Sequence, residues 1–127
     1  GIVSVDGVIR LQRILLPIDH QPDAQEAVVR AVRAAEAFGD GGVEIVILHV
    51  NGETLPQYAR PETRVCSWKE LERRGDVAAT ILEAANNTDL IVMATEGRHG
   101  MIDAMRGSVT ERVVRGAPCP LLAVPAR

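Results

Sequence analysis

Aromatic side chains are nearly missing: Phe38, Tyr58 and Trp68 are the only ones, 2% of 127 residues. A core must therefore be assembled from Val, Ile, Leu and Ala, which suits strands covered by small-residue helix faces. Cysteine is equally scarce, and the spacing of Cys66 and Cys119 fits no metal or redox motif; free thiols in a reducing compartment are expected. Long apolar runs are absent. Stretches such as Leu90 to Ala94 fall far short of the roughly 20 residues that cross a bilayer, and no basic region followed by an apolar stretch opens the chain. A soluble, cytoplasmic protein is expected. Neither charge sign dominates: 14 basic and 17 acidic residues leave a net −3, which favours neither nucleic acid nor an anionic membrane as partner. Arg60, Arg64, Arg73 and Arg74 are interleaved with Glu62, Glu70 and Glu72, so they form no basic stripe.

What is present is globular in character, 46% hydrophobic and 24% charged, and of a length for a single domain over 1–127. Short aliphatic runs alternate with longer stretches of helical spacing. Ile14-Leu15-Leu16-Pro17-Ile18 is apolar on both faces, as a strand buried between helix layers must be, and Pro17 is expected to end its ladder donation. Asp23, with Glu26 three residues on, is expected to cap a helix that turns Ala24, Ala27, Val28, Ala31, Val32 and Ala35 to one side. Gly39 to Gly42 stop that helix, and Val43 to Val50 supply the second strand. The third lies within Thr63 to Leu71, where Lys69 and Glu70 mark an edge; the segment 51–62 before it reads as a loop without a helix. Asp76 caps a helix carrying Val77, Ala78, Ile81, Leu82 and Ala85 inward, with Asn86-Asn87 as its exit. Leu90 to Ala94 is the fourth strand, a helix runs from about Val109 to Arg115, Gly116-Ala117-Pro118 stops it, and Leu121 to Val124 is the last strand.

Strands joined by helices run parallel with right-handed crossovers, giving an α/β open sheet with helices on both faces. Ligands of such sheets sit beyond the carboxyl ends of the strands, where the strand order reverses. That directs attention to Pro17–His20, His49–Gly52 and Thr95–Thr110. The last of these leaves a buried strand and opens a helix through Gly97, Gly100 and Gly107. Free backbone N–H groups at such a junction, with the positive end of a helix dipole, are what a phosphate chain needs. Ser108-Val109-Thr110-Glu111 is equally a capping box, so Ser108 is explained as well by helix stability as by a phosphate. Neither the Walker nor the dinucleotide glycine fingerprint occurs. Asp19, at a strand end, reads on its own as a turn or cap residue.

Several stretches taken together carry a family likeness. They are Ile-Leu-Leu-Pro-Ile-Asp at the first strand, Ile-Leu-His-Val ending the second, Arg-Gly-Asp before the helix that Asp76 caps, and Asp-Leu-Ile-Val-Met at the fourth strand. Gly-Ser-Val-Thr-Glu-Arg-Val follows, and then Ala-Pro-Cys-Pro-Leu-Leu-Ala-Val. Over nearly all of Arg13 to Pro125 the chain resembles the universal stress protein family. Its ATP-binding members carry Gly, two residues, Gly, nine residues, then Gly-Ser/Thr; here the frame is Ala94, two residues, Gly97, nine residues, Gly107-Ser108. The resemblance implies a Rossmann-like, adenine nucleotide alpha hydrolase-like sheet of five parallel strands in the order 3-2-1-4-5. It also implies ATP as ligand, with Mg²⁺ arriving on the phosphates. By the same likeness Asp19 contacts the nucleoside, Pro17 and Ile18 supply backbone and apolar contact, and Val50 lies beside adenine. Gly97, Arg98, Gly107, Ser108, Val109 and Thr110 form the phosphate and ribose cradle, with Ala94 in the place of the first glycine. A homodimer joined through Leu121–Val124 is implied as well.

Other residues have plainer expectations. His49, in an apolar strand, is expected to be a satisfied core histidine, while His20 and His99 have no companions at a metal spacing, so no metal site made by protein alone is assigned. No nucleophile, base and orienting group occur together, and no catalytic residue is assigned. Cys119 is read as packing, and Arg112 and Arg115 as solvated or salt-bridging surface groups. The leading expectation is a nucleotide-binding regulatory protein of the stress response. A nucleotide-free interaction protein of the same fold, and a slow ATP hydrolase that still needs a positioned general base, stand as alternatives.

Overall fold

The computed structural model describes residues 3–5, 8–95 and 108–126. In chain order the elements are β1 (Val3–Val5), β2 (Val8–Pro17), α1 (Gln25–Phe38), β3 (Gly39–Val50) and β4 (Cys66–Arg73). They continue with α2 (Val77–Ala84), a short 3-10 turn (Ala85–Asn87), β5 (Leu90–Thr95), α3 (Ser108–Gly116) and β6 (Leu121–Pro125). The sheet runs β4-β3-β2-β5-β6, with β1 pairing β2 off that path. Every pairing along the path is parallel, so counting from β2 the five strands stand in the order 3-2-1-4-5.

Alternation along each strand builds two apolar layers, because successive side chains leave a strand on opposite faces. On one face Ile14, Leu16, Ile45, Ile47, Val92 and Val124 meet Ala27, Val28, Ala31, Val32 and Ala35 of α1. On the other, Leu15, Val46, Leu48, Ile91 and Met93 meet Ala78 and Ile81 of α2 and Val113 of α3. The helix residues at the first interface are mostly alanine and valine, so α1 can lie close against the strands despite the shortage of aromatic volume. α2 is capped as its sequence requires: the Asp76 carboxylate accepts from the Ala79 N–H at 2.9 Å.

Several expectations change. Asp23 does not cap α1: the residue before the helix is Ala24, with no side-chain cap bond, and the Asp23 carboxylate accepts instead from the Gln25 N–H at 2.9 Å. The glycines after α1 do more than stop a helix. β3 starts at Gly39, where a Cβ would come within 2.4 Å of the Ala35 carbonyl oxygen, and the β2–β3 register shifts between Leu11 and Arg13. Gly41 takes a φ of 82° within this irregular stretch, a conformation that suits glycine. Pro17 does not end ladder donation, since the Ile18 N–H still donates to the Leu48 carbonyl at 2.9 Å. The antiparallel β1–β2 pairing, from Val3↔Arg10 to Val5↔Val8, was not expected from the pattern of βα units. The sequence between its strands, Asp6-Gly7, is of the type most favoured in two-residue hairpin loops. β4 spans Cys66–Arg73 rather than Thr63–Leu71 and closes one end of the sheet, which fits its charged pattern. Segment 51–62 contains no helix.

Candidate functional site

Along the sheet the chain adds β3 and β4 on one side of β2, and β5 and β6 on the other. Between β2 and β5 the crossovers diverge, and their loops leave a crevice at the carboxyl ends, the usual location for a ligand in a sheet of this kind. A cavity of about 280 Å³ opens there. β2 and its following loop contribute Pro17, Ile18, Asp19, Gln21 and Pro22; β3 contributes Leu48 and Val50. Val77 and Ile81 come from α2, Met93 and Ala94 from β5, and Val109 and Thr110 from α3. Its walls are therefore aliphatic, with a carboxylate, an amide and a hydroxyl as the polar side chains, a balance common in small-molecule sites. Its size falls just below the roughly 300–1,000 Å³ spanned by such sites.

The fold thus brings Pro17, Ile18, Asp19, Val50, Ala94, Val109 and Thr110 to one place from separate segments of the chain. Gly97, Arg98 and Gly107 lie outside the described residues. Ser108 is the first residue of α3, and only its backbone position is described. The reading from sequence missed Gln21, Pro22, Leu48, Val77, Ile81 and Met93. Val77 and Ile81 carried a signal as inward positions of α2, but the period of a helix does not say which inward residues meet a strand and which meet a void.

Asp19 is well exposed, at 65% of its side chain, and its Oδ1 accepts from the His20 N–H at 2.7 Å. That bond fixes one carboxylate oxygen and leaves the other available at the rim. Behind it lies His49, which corrects another expectation. The ring is buried, at 2% exposure, but it is not satisfied: Nδ1 has no hydrogen-bond partner among the described residues. Thr95, at the end of β5, likewise has a buried hydroxyl without a partner among them.

A second, wider and more open groove of about 810 Å³ lies over the edge strand, lined by Leu55–Arg60 and Glu70. Its Tyr58, Arg60 and Glu70 side chains are spent on one another. Tyr58 donates to Glu70, Arg60 pairs with Glu70 at 3.0 Å, and the Arg60 guanidinium sits 5.2 Å from the Trp68 ring centre. Burial and the neighbouring Glu70 push the Tyr58 phenol above its ordinary range, so it stays a proton donor to that carboxylate. The smaller cavity, at the sheet's switch point, is the better candidate. Cys66 and Cys119 are free thiols, and burial pushes both above the usual thiol range, which makes them poor nucleophiles. Among the described residues no cluster of three metal-ligating side chains occurs, and no helix is long and apolar enough to cross a membrane.

Comparison with known proteins agrees with this fold. Residues 55–125 match the universal stress protein family. A universal stress protein of Synechocystis sp. is 32% identical over 96% of this chain and 90% of its own length. Among solved structures, the universal stress protein UspA from Lactobacillus plantarum superposes with a TM-score of 0.66 at 21% identity, covering 91% of this chain and 98% of its own. The universal stress protein from Archaeoglobus fulgidus in complex with dAMP superposes with a TM-score of 0.59 at 18% identity, over 89% of this chain and 97% of that one.

Proposed function

Because the chain belongs to the universal stress protein family, we propose that it is a nucleotide-binding regulatory protein whose cavity takes the adenosine part of ATP. One observation carries the reading most: the cavity at the switch point is lined by residues named from sequence on β2, β3, β5 and α3. The dAMP held by a protein of the same fold supports an adenine nucleotide as the ligand class. Ile18, Val50, Ile81 and Met93 give the flat apolar walls that a base stacks against, and Asp19 offers its free oxygen to a ribose hydroxyl. The phosphates then run toward Thr110 and the first turn of α3, where helix N–H groups and the dipole favour negative charge. Gly97, Arg98, Gly107 and Ser108 complete that end of the reading, and Ala94 places a methyl group on the wall. Mg²⁺ enters on the phosphates and waters. The protein acts by occupancy, ATP changing its conformation or assembly, and not by efficient turnover.

The assembly in this proposal is a homodimer through β6, an edge strand whose Leu122 is exposed; an apolar edge of this kind is a template for pairing with another chain. The methyl of Ala94 on the cavity wall favours the second reading, a nucleotide-free interaction protein. Calorimetry and thermal melts with Mg-ATP, AMP, adenosine and inorganic triphosphate separate them, because a ligand that binds only the folded state raises its apparent stability. Adenosine-containing ligands are expected to bind. Gly107→Val is expected to abolish ATP binding with circular dichroism unchanged, and Asp19→Ala to weaken adenosine ligands while sparing triphosphate. Wild-type protein that binds none of the four would hand the lead to the interaction protein.

A further inference from the structure

The next-to-last residue of β3 is an inward-facing histidine, His49, set between two carboxylates. Nε2 of His49 lies 3.9 Å from Oδ1 of Asp19, and Nδ1 lies 3.7 Å from Oε1 of Glu72. The second neighbour follows from sheet register, since His49 pairs with Glu72 across β3 and β4; the first follows from the β2 loop, which carries Asp19 over the same strand end. His20 meets the ring edge-on, with centroids 5.8 Å apart and planes at 82°. Gly52 closes a further side: a Cβ there would stand 1.6 Å from Cε1 of His49. Asp19 and His20 from the β2 loop and Glu72 from β4 are the titratable groups found against the ring among the described residues.

A neutral imidazole has one N–H and one lone pair. With a carboxylate on each side, it can donate to only one of them, and its bare nitrogen then faces the negative charge of the other. Both distances exceed hydrogen-bond length, so a small movement of either exposed carboxylate decides which bond forms. Among the described residues Nδ1 is buried without a partner, and leaving it so is costly, which makes the choice an energetic one. Glu72 does not line the cavity, whereas Asp19 does.

We infer that His49 is a positioning residue that couples the cavity carboxylate of Asp19 to Glu72 on the edge strand, through competition for the proton of one buried ring. With the proton on Nε2, Asp19 is drawn against β3 and held in one orientation at the rim; with it on Nδ1, Glu72 is drawn in and Asp19 is released. The edge strand thereby tunes the cavity without touching its contents. The consequence for ligand affinity rests on the nucleotide reading above, but the linkage among the three side chains does not.

Two measurements test it. In ligand-free protein, ¹⁵N spectra of the imidazole nitrogens report which one carries the proton. Glu72→Gln is expected to move the proton toward Nε2, and Asp19→Asn toward Nδ1. In calorimetry, Glu72→Gln is expected to tighten ATP binding about fivefold, a modest coupling between linked sites, and to have no effect in the Asp19→Asn background. Glu72 is exposed, so its variant is expected to fold even where His49→Gln does not. A His49 ring signal unmoved by Asp19→Asn and Glu72→Gln would overturn the linkage. Wild-type protein that binds neither ATP nor AMP would remove the nucleotide reading alone, because the ring spectra still decide the coupling.

Discussion

Asn51 and Gly75 exchange two hydrogen bonds across the ends of β3 and β4. The Gly75 N–H donates to Oδ1 of Asn51 at 2.9 Å, and Nδ2 of Asn51 donates to the Gly75 carbonyl at 2.7 Å. Asn51 has a φ of 65° and Gly75 a φ of 136°; asparagine is one of the few residues with a side chain that visits the first region readily. Asn51→Ala is expected to lose both bonds and to strain the backbone, lowering the unfolding free energy by about 2 kcal/mol. Asn51→Asp is expected to lose about half of that, since its carboxylate still accepts from Gly75. Urea denaturation of the two variants checks the order; a larger loss for aspartate would refute it.

Asp76 and Arg112 join the start of α2 to α3. Arg112 contacts both carboxylate oxygens, at 3.0 and 2.8 Å, while the Ala79 N–H donates to one of them. Arg112, and then the Ala79 amide, hold the Asp76 carboxyl below the usual aspartate range. A carboxyl with a depressed folded value contributes stability that is fully present above its unfolded value, about 4, and is lost as pH falls through the folded one. Arg112→Gln is therefore expected to melt lower than wild type at neutral pH, with the difference shrinking as pH drops below about 4. Both groups are exposed, so high salt is expected to narrow the difference too. Melting curves across pH and salt measure both effects.

Gly52→Ala places a methyl group against the His49 ring. The collision is expected to cost about 1–3 kcal/mol, as overfilling a packed site does. Removing the ring should relieve it, so Gly52→Ala combined with His49→Ala is expected to be less destabilised than the sum of the single changes. Additive losses would show that the ring is not what forbids a side chain at position 52.

Leu122→Lys tests the proposed assembly. Leu122 is exposed on β6, whereas Ala123 and Val124 are buried, so a charge at Leu122 is expected to spare the fold and weaken pairing between subunits. Sedimentation should show a wild-type dimer at tens of micromolar, a rough working range for a moderate interface, and a monomeric variant. A wild-type profile that is monomeric throughout would sink the idea.

The buried strands were legible because parallel strands between two helix layers must be apolar on both faces, and Ile14–Leu16 and Leu90–Ala94 are. The Asp76 cap was legible because its partner lies within the same turn. What escaped the sequence depended on distant chain. Asp23 failed as a cap once the α1 entry was bound elsewhere: Gln25 exchanges bonds with Ala59, its Oε1 accepting from the Ala59 N–H at 2.8 Å and its Nε2 donating to the Ala59 carbonyl at 3.1 Å. Gly39 entered β3 because it pairs with Leu11 of β2 ahead of the register shift, which no reading of the glycines alone supplies. At the cavity, the rule for open sheets pointed to the strand ends at Pro17–His20 and His49–Gly52, and the family likeness singled out Asp19, Val50 and Ala94. Val77 and Ile81 were not, since only packing decides which inward residues border empty space. His49 was named as core, but its unpartnered nitrogen is a property of the register with Glu72 and could not be read from β3.

Trp68, the only tryptophan, lies on β4 with the Arg60 guanidinium 5.2 Å from its ring and the Tyr58 ring 6.2 Å away. It is absent from the cavity wall. The molecule therefore carries its own fluorophore at the sheet edge, with a cation and a phenol from segment 51–62 set against it. Its emission reports whether that segment is docked, and a ligand filling the cavity should leave the signal unchanged unless the edge strand moves with it.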